Sequence, residues 1–320
     1  MGFGSAYVAT AFALRSFDPV PAAAWRSAVA TVAVVIVVAV RHVRAGRDAD
    51  DSPHAAARWA AAGGPTSAAA GDTPDDRPST GARMVRLLVL SALAGPVFLA
   101  SMNMAVAGVG ATIAAFVAGL YAVLAAVIAP FLLPERLTSR SLGGLVLALL
   151  GTALLAELDP AGADATGMAW GLLAAVSFAV YLVLARRWSA RYRLEGLDVA
   201  LGAVSLSTVV LGGYLLVVDP ASLRPTSLDV APLLAIGWMA AVAALGPVLM
   251  VASVRLIPAA RSAAFLLLNP ITATVLAVVL LGERPTEIQL LGGLLVLLGI
   301  AVATRPADMD LGRIVARVRA

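Results

Sequence analysis

The chain contains no cysteine and no lysine, and it carries few charges of either sign. Without cysteine it has no disulfide, no thiolate-bound metal and no thiol chemistry. Charged residues make up 13% of the 320 residues, about half their share in a typical soluble protein, whereas hydrophobic residues make up 61%. With a mean hydropathy of +0.93, this composition argues against an ordinary soluble domain. It favours a polytopic membrane protein.

Ten apolar segments follow one another along the chain, most of them near the 20 residues that a helix needs to cross hydrocarbon. We therefore predict an all-α integral membrane protein with ten transmembrane helices. The first segment is short and starts in the middle of an apolar pattern, so we expect the natural start to lie several residues upstream. The segments are 2–14, 20–40, 86–106, 110–133, 140–157, 166–185, 197–218, 230–254, 260–281 and 287–304.

Arginine supplies all 23 basic residues, and it is concentrated in every second connection between these segments. The positive-inside rule places such connections, and both termini, in the cytoplasm. We therefore expect a multi-pass protein of the plasma membrane. Topology explains the net charge of +4, so nucleic acid is not an expected partner. The connections 41–86, 134–140, 186–196, 255–261 and 305–320 hold 19 of the 23 arginines.

Matching markers divide the chain into two similar halves. Leu-Pro-Glu-Arg-Leu-Thr at 133–138 resembles Leu-Gly-Glu-Arg-Pro-Thr at 281–286, and Gly-Pro at 95–96 recurs at 246–247. Five predicted helices separate the markers, and an odd number places them on opposite membrane faces. The pattern predicts two inverted five-helix repeats, a common framework of secondary transporters. The repeats are 1–157 and 166–304, followed by a cytoplasmic tail, 305–320.

The segment 41–83 differs in composition from the rest of the chain. It is rich in proline and acidic residues and poor in large apolar side chains, so we predict a disordered cytoplasmic insertion. His42 and His54 lie in or beside it, but two loosely placed imidazoles lack the other ligands of a zinc site. We therefore expect no metal and no other cofactor.

The sequence resembles the EamA family of the drug/metabolite transporter superfamily. The best match is Ala-Arg-Ser-Ala-Ala-Phe-Leu-Leu-Leu-Asn-Pro at 260–270, which continues to Leu-Gly-Glu-Arg; Pro-Ala-Ala-Ala-Trp-Arg at 21–26 and the segment 170–187 also match. The likeness covers nearly the whole chain except 41–83 and the tail. In the first half, Pro134 stands where the family has glycine, and Ala122 stands where the second half has Pro270.

The resemblance implies a secondary transporter, acting as monomer or homodimer in the lipid bilayer, that exports a small-molecule substrate by alternating access. Small metabolites, amino acid-like or related, are the expected class, and hydrophobic-drug efflux is the alternative. An intramembrane enzyme is a third possibility, but the sequence shows no zinc motif, paired midplane aspartates or activated nucleophile. We expect no catalytic residues.

Polar residues inside the apolar segments are the candidates for the substrate pathway. Arg26 lies a turn or two inside its segment, where it either reaches the outer headgroups or contacts an anionic substrate group. Asn103 and Asn269 are buried amides that need partners from elsewhere. We expect a cavity among segments three, eight and nine, closed by segments one, two, four and six. The complete set of candidates is Tyr7, Arg26, Asn103, Tyr121, Ser177, Tyr181 and Asn269.

Other residues are interpreted as structural. The glutamate and arginine of each repeated marker lie at helix ends, so we expect each glutamate to act on the first turn of the following helix. The prolines should bend their helices, and glycines seven residues apart should allow close helix packing. The marker residues are Glu135, Arg136, Glu283 and Arg284; the prolines are Pro96, Pro247 and Pro270; the glycines are Gly144, Gly151, Gly292 and Gly299.

The predicted topology can be tested directly because the chain has no cysteine. An Asp75→Cys variant places one thiol in the predicted cytoplasmic insertion. We expect a membrane-impermeant maleimide to label it only after the cells are opened. Labelling in intact cells would show that the insertion faces outward.

Overall fold

A computed structural model describes residues 2–51, 79–133, 139–155, 164–189, 191–192, 194–227, 229–256 and 268–304. Every regular element in these ranges is helical. Two π-helical segments, Leu93–Val97 and Ala277–Leu281, and a 3-10 turn, Pro220–Leu223, connect or extend the α-helices. The α-helices are α1 (Gly2–Ala13), α2 (Pro19–Asp51), α3 (Thr80–Ala92), α4 (Phe98–Gly119), α5 (Tyr121–Leu132), α6 (Ser139–Leu155), α7 (Ala165–Ser189), α8 (Gly196–Val218), α9 (Val230–Leu256), α10 (Leu268–Leu276) and α11 (Glu287–Thr304).

Four stretches of the described chain are long and apolar enough to cross a membrane: Pro19–Val40, Thr80–Leu132, Ala165–Trp188 and Gly196–Val218. Shorter apolar helices accompany them at Leu142–Leu155, Val230–Gly246, Asn269–Leu281 and Glu287–Val302. Many large aliphatic side chains are exposed on these helices, as a lipid-facing surface requires.

Gly110 interrupts the longest of these stretches. Its backbone angles, φ 77° and ψ 172°, are not helical. Residues other than glycine rarely adopt these angles. The 53 residues of Thr80–Leu132 exceed the roughly 20 that one crossing needs. The break falls at the predicted boundary between the third and fourth apolar segments.

The Glu283 carboxylate caps the helical residues that begin after this break. Its Oε1 accepts a hydrogen bond from the Ala111 amide at 2.9 Å, and its Oε2 accepts one from the Thr112 amide at 3.2 Å. These amides have no partner inside their own helix, and a negative charge there also complements the helix dipole.

The predicted role of Glu283 in the helix that follows it is wrong. Thr286 and Gln289 already cap α11: the Gln289 amide donates to Thr286 Oγ1, and the Thr286 amide donates to Gln289 Oε1. This is a reciprocal capping box. Glu283 follows Gly282, whose φ of 71° ends the preceding π-helical segment. The Glu283 carboxylate instead caps the part of α4 that begins at Ala111. Glu135 and Arg136 lie outside the described residues.

Glycines bring α6 and α11 into close contact. A Cβ placed on Gly151 would lie 2.5 Å from the Gly292 carbonyl oxygen, and one on Gly292 would lie 2.7 Å from the Gly151 carbonyl oxygen. A Cβ on Gly299 would lie 2.6 Å from the Gly144 carbonyl oxygen. The later glycine of each helix therefore meets the earlier glycine of the other, so the two helices run antiparallel. The predicted close packing is confirmed.

The Gly95-Pro96 pair bends the chain between α3 and α4. Gly95 has the non-helical angles φ −96° and ψ −109° inside the π-helical segment. Ser177 Oγ donates a 2.7 Å hydrogen bond to the Leu93 carbonyl in this segment. A carbonyl in a distorted helix can lose its usual amide partner, and Ser177 supplies a donor in its place. By contrast, α9 runs through Gly246 and Pro247 as α-helix.

Pro270 is the third described residue of α10. The residues that precede α10, 257–267, are outside the described ranges, so a kink there stays a prediction. The π-helical segment that follows α10 was not expected from the sequence.

Helical structure reaches into both ends of the segment 41–83, which was predicted to be disordered. The helix α2 continues through 41–51, and α3 begins at Thr80, where Ser79 Oγ accepts a 3.2 Å hydrogen bond from the Ala82 amide. A helix that already exists extends cheaply, because only its first turn carries the nucleation cost. The remaining residues, 52–78, lie outside the described ranges.

Hydrogen bonds link the α1–α2 connection to the α8–α9 connection. The Thr226 amide donates to the Ser16 carbonyl at 2.9 Å, and Ser16 Oγ lies 2.7 Å from Ser227 Oγ. Trp25 Nε1 donates to the Leu223 carbonyl at 2.9 Å. These contacts join residues from the two halves of the sequence.

Arginines link the start of α3 to α7 and α8. Arg83 Nη2 lies 2.7 Å from Asp198 Oδ2, in a bridge whose side chains are 47% and 37% exposed. The Arg86 guanidinium lies over the Tyr192 ring at 4.1 Å and near the Trp188 ring at 5.7 Å. These are cation–π contacts.

The cap on α4 predicts a measurable stability difference. We expect Glu283→Ala to lower the free energy of unfolding by about 1–2 kcal/mol, because two backbone amides lose their acceptor. Thermal unfolding of the purified protein in mild detergent measures this loss. Glu287→Ala is the matched control, since Glu287 is an exposed glutamate four positions along the chain. Equal effects of the two substitutions would contradict the capping role.

Candidate functional site

A cavity of about 130 Å³ lies among the helices. Its walls come from α1, α2, α4, α5, α7, α9 and α10. These elements belong to the apolar segments that were expected to enclose a cavity. The walls are largely apolar, and the polar side chains that line it are Tyr7, Arg26, Tyr121 and Asn269.

Arg26 is the only charged residue lining this cavity in the described part of the chain, and it is only 3% exposed. Its Nη1 lies 3.7 Å from Met239 Sδ, a weak acceptor. Its Nε has no hydrogen-bond partner, and among the described residues no carboxylate forms an ion pair with it. A buried guanidinium in this state is costly, because it has lost hydration without gaining a counter-charge.

The other polar groups lie around this guanidinium. Tyr7 is close enough to Arg26 and to Tyr121 for direct electrostatic interaction. Tyr121 and Asn269 both line the cavity, and their side chains are close enough to interact. Gly4 allows α1 to approach the Asn269 carbonyl closely. The result is one cationic group, two hydroxyls and an amide in a small space enclosed by apolar walls.

Aromatic rings form one wall of the cavity. The Phe178 ring centroid lies 4.8 Å from that of Phe98, 5.0 Å from Tyr121 and 5.2 Å from Tyr181. Behind Phe98 and Phe178 lies a second cavity of about 80 Å³, which Tyr181 helps to line. Both phenylalanine rings line both cavities, so they stand between them.

Four of the seven candidate residues meet in the larger cavity, and three lie elsewhere. Asn103 is fully buried, and its Nδ2 donates to the Pro19 carbonyl at 3.0 Å; it joins α4 to the start of α2. Ser177 bonds the Leu93 carbonyl at the bend before α4. Tyr181 lines the second cavity. These three residues were selected because they are polar and lie inside apolar segments. Polarity alone does not distinguish a residue that lines a cavity from one that has a structural role between helices.

The sequence analysis missed the apolar residues that shape the site. Met239 contacts both Arg26 and Thr10, since Thr10 Oγ1 lies 3.0 Å from its sulfur. Phe98 and Phe178 separate the two cavities. In a chain that is 61% hydrophobic, a methionine or phenylalanine within a helix gives no signal of its own.

Comparison with known proteins places the chain in a family. The sequence model of the EamA-like transporter family matches residues 1–156 and 165–305. No curated protein matches the chain. One solved crystal structure superposes with a TM-score of 0.56 at 18% sequence identity, covering 100% of this chain and 95% of that one; it shows likeness of fold alone. Because the family match spans both halves, the chain belongs to the EamA-like transporter family, membrane transporters of the drug/metabolite transporter superfamily.

Proposed function

We propose that this protein exports small metabolites that carry an anionic group, amino acid-like or related compounds, by alternating access. The observation that carries the proposal is Arg26, a buried guanidinium that lines a cavity and has no carboxylate partner among the described residues. A substrate carboxylate would supply the missing counter-charge. The planar guanidinium also matches the two oxygens of a carboxylate.

The packing of the helices supports an inverted-repeat architecture of ten transmembrane helices. The helices α6 and α11 hold equivalent positions in the two predicted repeats, and they run antiparallel through reciprocal glycine contacts. Inverted repeats place the substrate near the midplane, where the halves meet. The cavity draws its walls from both halves of the sequence. The arginine distribution supports cytoplasmic termini and a place in the plasma membrane.

Cavity size favours a small metabolite over a drug. Drug-binding pockets typically hold about 300–1,000 Å³, whereas an engineered cavity of about 150 Å³ holds benzene. At 130 Å³, the cavity of this protein is close in volume to the cavity that holds benzene. Hydrophobic-drug efflux would also leave the guanidinium without a partner. A catalytic role is not proposed, because the family is one of transporters.

The first test removes the charge of Arg26. Cells that express the protein should accumulate one or a few carboxylate-bearing metabolites in the medium, as untargeted metabolomics of medium and cells would measure. We expect Arg26→Gln to reduce this export at least tenfold, because a charged hydrogen-bond partner is lost from a buried site.

Arg15→Gln is the matched control for that experiment. Arg15 is exposed at the end of α1 and lies over the Phe12 ring at 4.5 Å, away from the cavity. It should leave export unchanged. Membrane levels of each variant are measured by immunoblot. Normal export by Arg26→Gln at equal protein level would refute the proposal.

The second test separates the two asparagines. Asn103→Ala should lower the free energy of unfolding by about 1–3 kcal/mol, because the Pro19 carbonyl loses its donor. Export per folded molecule should change little. Asn269→Ala should instead lower export, with a smaller loss of stability, because Asn269 is a partly buried wall residue of the cavity. The reverse pattern would place the substrate near Asn103.

A further inference from the structure

We infer that the substrate is a small organic acid with an apolar body and without an amino group. This inference rests on the proposed function, because it narrows the substrate class of the same site. It distinguishes a simple carboxylate from the zwitterion of an amino acid. The charges, the size and the neighbouring cavity each contribute to it.

The charges around the cavity can neutralise a carboxylate but not an ammonium group. The polar lining among the described residues is Tyr7, Arg26, Tyr121 and Asn269, with no aspartate or glutamate. The stretch 247–267, which leads into α10, also contains no acidic residue. A substrate ammonium within a cavity of this size would lie close to the guanidinium, and like charges at such distances repel strongly in a medium of low dielectric constant.

Aromatic faces do not replace the missing carboxylate. A cation can bind over the face of a phenyl ring, and Phe98 and Phe178 both line the cavity. The Phe178 ring, however, already packs against the rings of Phe98, Tyr121 and Tyr181. Its surroundings suit an apolar group, which would bury its surface against the rings.

The dimensions of the cavity set the size of that apolar group. At about 130 Å³, it approaches the volume of about 150 Å³ that accommodates benzene. A body about the size of a phenyl ring or a branched alkyl group therefore suits the space beside Arg26. The second cavity, about 80 Å³, continues behind the Phe98–Phe178 pair. These two rings limit how far the body of the substrate extends.

The test compares how tightly the unaltered protein binds three probes that share a phenylethyl framework and differ in their charged groups. They are 3-phenylpropanoate, phenylalanine and 2-phenylethylamine, which carry a carboxylate alone, both charges and an ammonium alone. Isothermal titration calorimetry of the protein in lipid nanodiscs near neutral pH measures each affinity. We expect 3-phenylpropanoate to bind at least tenfold more tightly than phenylalanine, and 2-phenylethylamine to give no measurable heat of binding. Arg26→Gln should weaken binding of 3-phenylpropanoate at least tenfold, whereas Arg15→Gln should not.

The outcomes separate this inference from the proposed function. If phenylalanine binds within tenfold of 3-phenylpropanoate and Arg26→Gln weakens both, the amino group is tolerated; the inference is then wrong and the anion site stands. If neither carboxylate binds, or if Arg26→Gln leaves their binding unchanged, both proposals fail. Preferred binding of 2-phenylethylamine would also overturn both. The comparison of the three probes needs no variant, so a misfolded Arg26→Gln protein leaves the inference testable.

Discussion

Buried backbone polar groups must be satisfied by the protein itself, and this constraint governs two interruptions of the helices, one inside an apolar segment and one at the boundary between two segments. At the bend before α4, Ser177 donates to the Leu93 carbonyl. At the break after Gly110, Glu283 accepts from two amides. In both places a side chain from the second half of the sequence satisfies backbone from the first half. These two interruptions are therefore also places where the two halves of the sequence hold each other.

The same constraint explains why Arg26 stands apart from the other buried polar groups. Thr10, Ser27 and Ser207 each donate to a carbonyl one turn earlier in their own helix, an arrangement typical of hydroxyls in membrane helices. A guanidinium is too large and too strongly charged to be satisfied in that way. Its burial beside Met239 costs stability, and proteins keep such costs mainly at functional sites.

The sequence predicted an all-helical membrane protein with two repeats correctly, because the relevant signals are strong along the whole chain. Apolar run length depends on hydrocarbon thickness, and it marks every segment alike. The repeated markers show the two repeats directly, because they are visible in the sequence itself. The site was predicted only in part. Polarity identified Tyr7, Arg26, Tyr121 and Asn269, but it equally selected Asn103 and Ser177, whose bonds run to backbone carbonyls. Which side of a helix faces a cavity depends on packing between distant segments, and one sequence does not show it. The target of Glu283 was missed for the same reason.

The two sets of contacts that join connections across the halves differ in stiffness. One set uses backbone groups, short hydroxyl side chains and a rigid indole ring: Ser16 with Thr226 and Ser227, and Trp25 with the Leu223 carbonyl. The other uses long arginine side chains, and the Arg83–Asp198 bridge is substantially exposed; such bridges contribute about 0–1 kcal/mol. Arginine can also follow a moving partner by changing rotamers, whereas a backbone hydrogen bond breaks after a displacement of about 1 Å. Helices tied by arginine therefore separate at lower free-energy cost than the connections tied by serine and backbone groups.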